Sequence, residues 1–219
     1  MFRSRSAPRW LWRTFLAGTV LLALLLALPA TREALLRAAG RALVAQDPLA
    51  PADVIVVAVD ADGEGVLAAA DLVHAGLATR VALFPDPPDR TEREFLRRGL
   101  PYANRATIAT MQLRALGVTS VELIPASVNG TTAEGEVLRQ WCTAQGVRHI
   151  IFVSTADHSR RTRRMLARSL RGSGTAASVR YSAYSEFDPE NWWRTRRGVR
   201  IEIVEAQKLL VDAVMHPFS

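Results

Sequence analysis

The run from Asp53 to Val59, DVIVVAV, constrains the fold more than any other feature of this sequence. It is rich in β-branched residues and too uniformly apolar for a strand with one face in water. It therefore reads as a strand buried on both faces, the kind found in parallel sheets. Further strand candidates are Arg80 to Phe84, Val121 to Ile124, His149 to Ser154 and Ser178 to Ser182. Segments of helical periodicity lie between them: Gly65 to Ala75, Thr91 to Arg98, Ala106 to Leu116, Thr131 to Gln145 and Asp157 to Leu170. This alternation implies βαβ units, hence an α/β, doubly wound, Rossmann-like domain of three layers with a mostly parallel sheet. Asp47, Pro48 and Pro51 punctuate the chain before the first strand, so the domain is expected over residues 51–219. A last helix, about Gly198 to Met215, is expected to pack Ile203, Ala206, Leu210 and Val214.

Ahead of the domain lies a charge-free stretch, TFLAGTVLLALLLALP, from Thr14 to Pro29. Arg3, Arg5, Arg9 and Arg13 precede it, together with Trp10 and Trp12, a pattern that fits positive-inside orientation and an aromatic interfacial belt. The expected organisation is a basic cytoplasmic tail over 1–13, a transmembrane signal-anchor over 14–30 and a linker helix over 31–50. The domain then lies on the periplasmic side of a single-pass inner-membrane protein. The stretch is shorter than the roughly 20 residues that span a bilayer, so a cleaved signal peptide is the alternative. Leu28, Pro29 and Ala30 offer no small-residue cleavage site, and extending the span back to Trp10 adds length, which favours the anchor. The linker helix could also lie on the lipid surface.

The net charge of +7 says little about nucleic acid, because the four N-terminal arginines supply four of those charges and leave +3 for the rest. The lone cysteine, Cys142, excludes an intramolecular disulfide and a multi-cysteine zinc site. It falls on the apolar stripe of a helix and is expected to be buried and inert.

In open α/β sheets ligands sit beyond the carboxyl ends of the strands. Here that edge is formed by residues 60–65, 85–89, 125–132, 154–158 and 184–188, which include Asn129. Thr131 followed by Glu134 fits a helix capping box, yet Glu134 shares a stripe with Val137, Leu138 and Trp141 and so points to the sheet edge. Ser154 to Asp157 fits a second capping box, with His158 and Arg161 three apart in the following turn. An arginine beside a helix start can grip a phosphate or carboxylate. The remaining arginines there, Arg160, Arg163, Arg164, Arg168 and Arg171, are expected on solvated faces. Asp60 could accept a sugar hydroxyl, or simply end the strand in a polar turn with Gly63 and Gly65. There is no GxGxxG, P-loop, GxSxG or zinc-ligand spacing, so the sequence names no metal or cofactor.

The ordered blocks ADVIVVAVD, HAGLATR, LRALGVTSVELIP, TTAEGEVLRQW, IIFVSTADHSRR and WWRTRRGVRIEIVEAQKLL resemble the YdcF-like family, which includes the SanA and ElyC envelope proteins. The likeness runs from about Ala52 to Leu210. It rests most on a Thr-x-Glu motif, Thr132 and Glu134, and on Thr155, His158 and Arg161 in a Ser-x-x-His-x-x-Arg-like pattern. Val59, Asp60 and Ala61 replace the family's glycine turn after the first strand, and Pro85, Asp86 and Pro87 replace its Ser-Gly-Gly after the second.

The resemblance implies a Rossmann-like α/β fold and a role in envelope integrity, peptidoglycan biogenesis or lipid-carrier metabolism. One family member is associated with S-adenosylmethionine. The leading expectation is an envelope-maintenance protein that binds an anionic, phosphorylated cell-wall or lipid-linked small molecule. Glu134 and His158 would be the acid or base, and Asp60, Asn129, Thr132, Ser154, Thr155 and Arg161 the ligand contacts. A hydrolase or a user of a nucleotide-type cofactor is the second expectation, and a silent binding scaffold, favoured by the replaced glycine turns, the third.

Overall fold

The computed structural model describes residues 16–19, 28–126 and 130–217, without the Thr131 and Thr132 side chains. Five parallel strands form one sheet: β1 (Val54–Val57), β2 (Arg80–Leu83), β3 (Ser120–Leu123), β4 (His149–Ser154) and β5 (Ala176–Tyr181), in the order β3-β2-β1-β4-β5. The helices are α1 (Pro29–Leu43), α2 (Asp62–His74), α3 (Arg90–Arg97), α4 (Arg105–Ala115), α5 (Thr131–Gln145), α6 (Ser159–Ser169) and α7 (Arg196–Met215). The chain winds outward from β1 to β3, then crosses back to β4 and winds the other way. Crossovers in two opposite directions bring helices together over the sheet, with α2 against α4 and α5 against α6. The expected Rossmann-like α/β architecture is what forms.

All four β1 residues are buried, and Val57 pairs with Val153 of β4. The order of strands reverses between these two, so the crevice beyond their carboxyl ends is the place where such sheets bind ligands. After β1 the chain makes one 3-10 turn, Val59–Ala61, before α2. Gly65 lets that helix start close against the strand, since a Cβ there would fall 2.6 Å from Ala61 Cβ and 2.8 Å from Val57 Cγ1.

No helix among the described residues is long and apolar enough to cross a membrane, and most of the 14–30 segment expected to do so lies outside those residues. The segment read as a linker packs on the domain. Leu43 and Ala45 are buried, the Trp192 indole N–H donates to Leu36 O at 2.8 Å, and Ala45 N–H donates to Ser159 Oγ at 2.8 Å.

Helix α7 corrects a second expectation. Its buried positions are Gly198, Glu202 and Glu205; of the four residues expected to pack, Ala206 does so, against the cluster of Leu43, Ala156 and Phe187, whereas Ile203, Leu210 and Val214 are exposed, Val214 to 70%. The polar face turns inward because cations wait for it on α6: Arg164 Nε and Arg168 Nη2 each lie 2.6 Å from the Asp212 carboxylate. Arg163 pairs with Asp47 at 2.9 Å, and Arg160 donates to the carbonyl of Val44 at 2.7 Å. The arginines expected on solvated faces are therefore in good part clamps between elements. Cys142 is buried as expected, and burial pushes its thiol up to about 11.

Candidate active site

Three chain segments meet at the crevice: the turn after β1, the first turn of α5, and the start of α6 with its neighbour α7. Glu134 is 5% exposed, and its Oε1 accepts the backbone N–H of Val59 at 2.8 Å. The cap of α5 is Gly130, which provides no side chain, so Glu134 is spent on the β1 turn and not on a capping box. Burial, with the charge of Asp60 adding to it, pushes the Glu134 carboxyl up to about 7, against the opposing pull of the Val59 N–H, His158 and Arg161. A carboxyl of this kind both gives and takes protons near neutrality.

His158 caps α6 and is 4% exposed. Its Nδ1 lies 3.0 Å from Oε2 of Glu205, which α7 brings in, and its Nε2 lies 3.3 Å from Oδ2 of Asp60. Burial raises the Glu205 carboxyl, but hydrogen bonds from His158 and Lys208 and the charge of Arg161 outweigh that and hold it at about 2. The imidazole is thus held between two carboxylates, Glu205 on its Nδ1 side and Asp60 on its Nε2 side. Arg161 Nη2 lies 2.7 Å from Nδ1 and 2.9 Å from Nε2 of that ring, and 3.3 Å from Glu205 Oε2, so the guanidinium is held beside the imidazole.

The remaining candidates divide. Asp60 stands at the crevice mouth against His158. Thr155 lines the neighbouring cleft with Asp157. Ser154 is fully buried as the last residue of β4, its hydroxyl 3.2 Å from that of Thr162, and α6 begins only at Ser159, so the second capping box does not form either. Asn129 and the Thr132 side chain lie outside the described residues.

The sequence reading missed Glu205 and the acidic wall beside it. Glu64, Asp157 and Glu202 approach one another there, and burial holds all three carboxyls above their ordinary values, with Asp157 repelling the other two. The available signal was the spacing of Glu202 and Glu205, three apart on one side of the last helix. Among the described residues, no group of three or more His, Cys, Asp or Glu is arranged to hold a metal ion. Neither a family model nor a curated protein matches this chain.

Proposed function

We propose that this chain is an envelope enzyme, tethered to the inner membrane by its N-terminal segment, that hydrolyses an anionic, phosphorylated cell-wall or lipid-linked substrate in the crevice between β1 and β4. The observation that carries the reading is the meeting of two buried proton carriers at one crevice: Glu134, whose carboxyl is pushed up to about 7, and His158, held between the carboxylates of Glu205 and Asp60. His158 takes a proton from the attacking water and Glu134 gives one to the leaving oxygen. The amides at the start of α5 and the Arg161 guanidinium receive the anion. The tether and the periplasmic side are supported by the four arginines ahead of the apolar run, and the substrate class by the likeness of Thr132, Glu134, Thr155, His158 and Arg161 to the YdcF-like motifs. A binding role without turnover is the second reading, favoured by the contact of Arg161 with Glu205, which already occupies part of the cation.

The test is phosphate release by the full chain from a panel of polyprenyl phosphates, polyprenyl diphosphates and simple phosphate esters. Glu134→Gln should lower turnover by on the order of a hundredfold while folding is kept. Binding without any release, unaltered in Glu134→Gln, would favour the second reading. A fusion reporter that placed the C-terminus in the cytoplasm would overturn the assigned side of the membrane.

A further inference from the structure

Helix α7 turns its three carboxylates, Glu202, Glu205 and Asp212, toward the domain. What it leaves outside is apolar: Ile203, Val204, Leu210, Val211, Val214 and Met215, from 39% exposed at Val204 to 70% at Val214, form one face at helical spacing. The other exposed residues of the helix are Arg196, Arg197, Arg200, Gln207 and Lys208, so its outer side carries cations and no carboxylate. Helix α1 packs beside it and exposes Ala34, Leu35 and Ala38 with Arg32 and Arg41, again without a carboxylate. Glu186 and Glu190 of the loop before α7 pair with Arg197 and Arg41, which leaves Arg32, Arg196 and Arg200 outside any ion pair among the described residues. An exposed apolar face of this extent marks a contact, and its charge selects the occupant. A second copy of the chain presents the same cations and no counterion. An anionic lipid surface offers an apolar layer beneath negative headgroups, where basic amphipathic helices lie. The helix is not apolar enough to cross a bilayer, in keeping with a position along it. The apolar run from Thr14 ends at Pro29, the first residue of α1, so the segment read as the tether leads directly into the helix that packs against α7.

We propose that the outer face of α7 docks on an anionic lipid surface. Arg196, Arg200 and Val204 line one cleft with Asp157 and Glu205, so the docked face borders the reaction site. Entry of a lipid-linked substrate by this cleft rests on the hydrolytic reading of that site; the docking does not.

The test attaches an environment-sensitive fluorophore to Leu210→Cys in the full chain, with Met111→Cys on α4, an exposed position on the helix that packs by β3, as control. Cys142 is fully buried in both. The vesicles are phosphatidylcholine alone or mixed with phosphatidylglycerol, with brominated acyl chains as quencher. On the mixed vesicles the Leu210 label should shift to the blue and be quenched, high salt should weaken both effects, and the Met111 label should report water throughout. Arg196→Gln and Arg200→Gln should each move the docking equilibrium about fivefold toward water. A Leu210 label that stays in water on the mixed vesicles, or that responds equally to both compositions, would overturn the proposal. So would a blue shift that grows with protein concentration in the absence of vesicles, the sign of a second copy. Sedimentation separates this from the tether: a chain that sediments with phosphatidylcholine while its label stays in water on both vesicles keeps the tether and loses the docking. A label quenched on the mixed vesicles in a chain that does not sediment with phosphatidylcholine does the reverse. Docking in a chain that turns over no phosphate ester would uphold the face and remove the hydrolase, and turnover with the label in water would remove the face and keep the hydrolase.

Discussion

Nδ1 of His158 and Oε2 of Glu205 meet at 3.0 Å although 47 positions separate them in the chain. The contact joins the start of α6 to the inner face of α7, and through Asp60 it reaches the turn after β1. Three elements that differ widely in sequence position are thus held together at the crevice by one buried imidazole. The carboxylate that orients it is also bound by Lys208 at 2.6 Å. Removing one partner from a buried charged cluster leaves the others without compensation.

Glu205→Ala should therefore destabilise the chain by about 3 kcal/mol, while Glu205→Gln, which keeps the volume and one acceptor, should cost less. Urea denaturation of both variants checks this. A Glu205→Ala chain as stable as the parent would show that the cluster contributes nothing to folding.

Stability should also depend on pH through Glu134. Its carboxyl titrates at about 7 when folded against 4.5 ordinarily, so between those values the folded chain holds more protons than the unfolded one. Stability then falls as pH rises through that window, by up to about 3 kcal/mol in all. Glu205 acts in the opposite sense, because its folded value of about 2 lies below 4.5; its contribution is present above pH 4.5 and lost only as pH drops toward 2. The melting temperature should rise as pH is lowered from about 8 to about 5.5. Glu134→Gln should flatten the slope, with Glu64, Asp157 and Glu202 leaving a remainder of the same sign. A parent slope unchanged by the substitution would count against a buried, proton-holding Glu134.

The turn after β1 ends on Asp62, whose φ of +40° makes it the one non-glycine residue of positive φ among the described residues. Such a conformation costs about 1–3 kcal/mol for a residue with a side chain. Its exposed pairing with Arg105 at 3.2 Å returns under about 1 kcal/mol. Asp62→Gly should accordingly stabilise the chain by about 1 kcal/mol, read as a raised denaturation midpoint. A loss of stability would mean that the ion pair outweighs the backbone strain.

Parts of this architecture were legible in the residues alone. DVIVVAV could only be a strand covered on both faces, and the helices between such strands dictated a parallel sheet. The pointing of Glu134 toward the sheet edge followed from its stripe with Leu138 and Trp141, and the neighbourhood of His158 and Arg161 from their spacing of three. The capping boxes were misleading because a Thr or Ser three places before an acid fits the pattern whatever else those side chains bind; Glu134 is taken by Val59 N–H, Ser154 contacts Thr162, and α6 begins only at Ser159. Of the four residues of helix α7 expected to pack inward, Ala206 does so and the other three face outward. Periodicity shows that Ile203, Leu210 and Val214 share a side, but not that α6 offers Arg164 and Arg168 to the other side. Glu205 was missed for the same reason, since its partners lie in distant parts of the sequence.

The most direct test of the acid–base account is the ionisation of Glu134 itself, followed by the carboxyl carbon resonance of labelled glutamate across pH, with Glu134→Gln assigning the signal. The account predicts a midpoint at about 7, shifted when His158→Gln removes the neighbouring imidazole. A midpoint near the ordinary 4.5 would contradict it, because Glu134 would then be fully ionised at neutral pH and unable to donate the proton assigned to it.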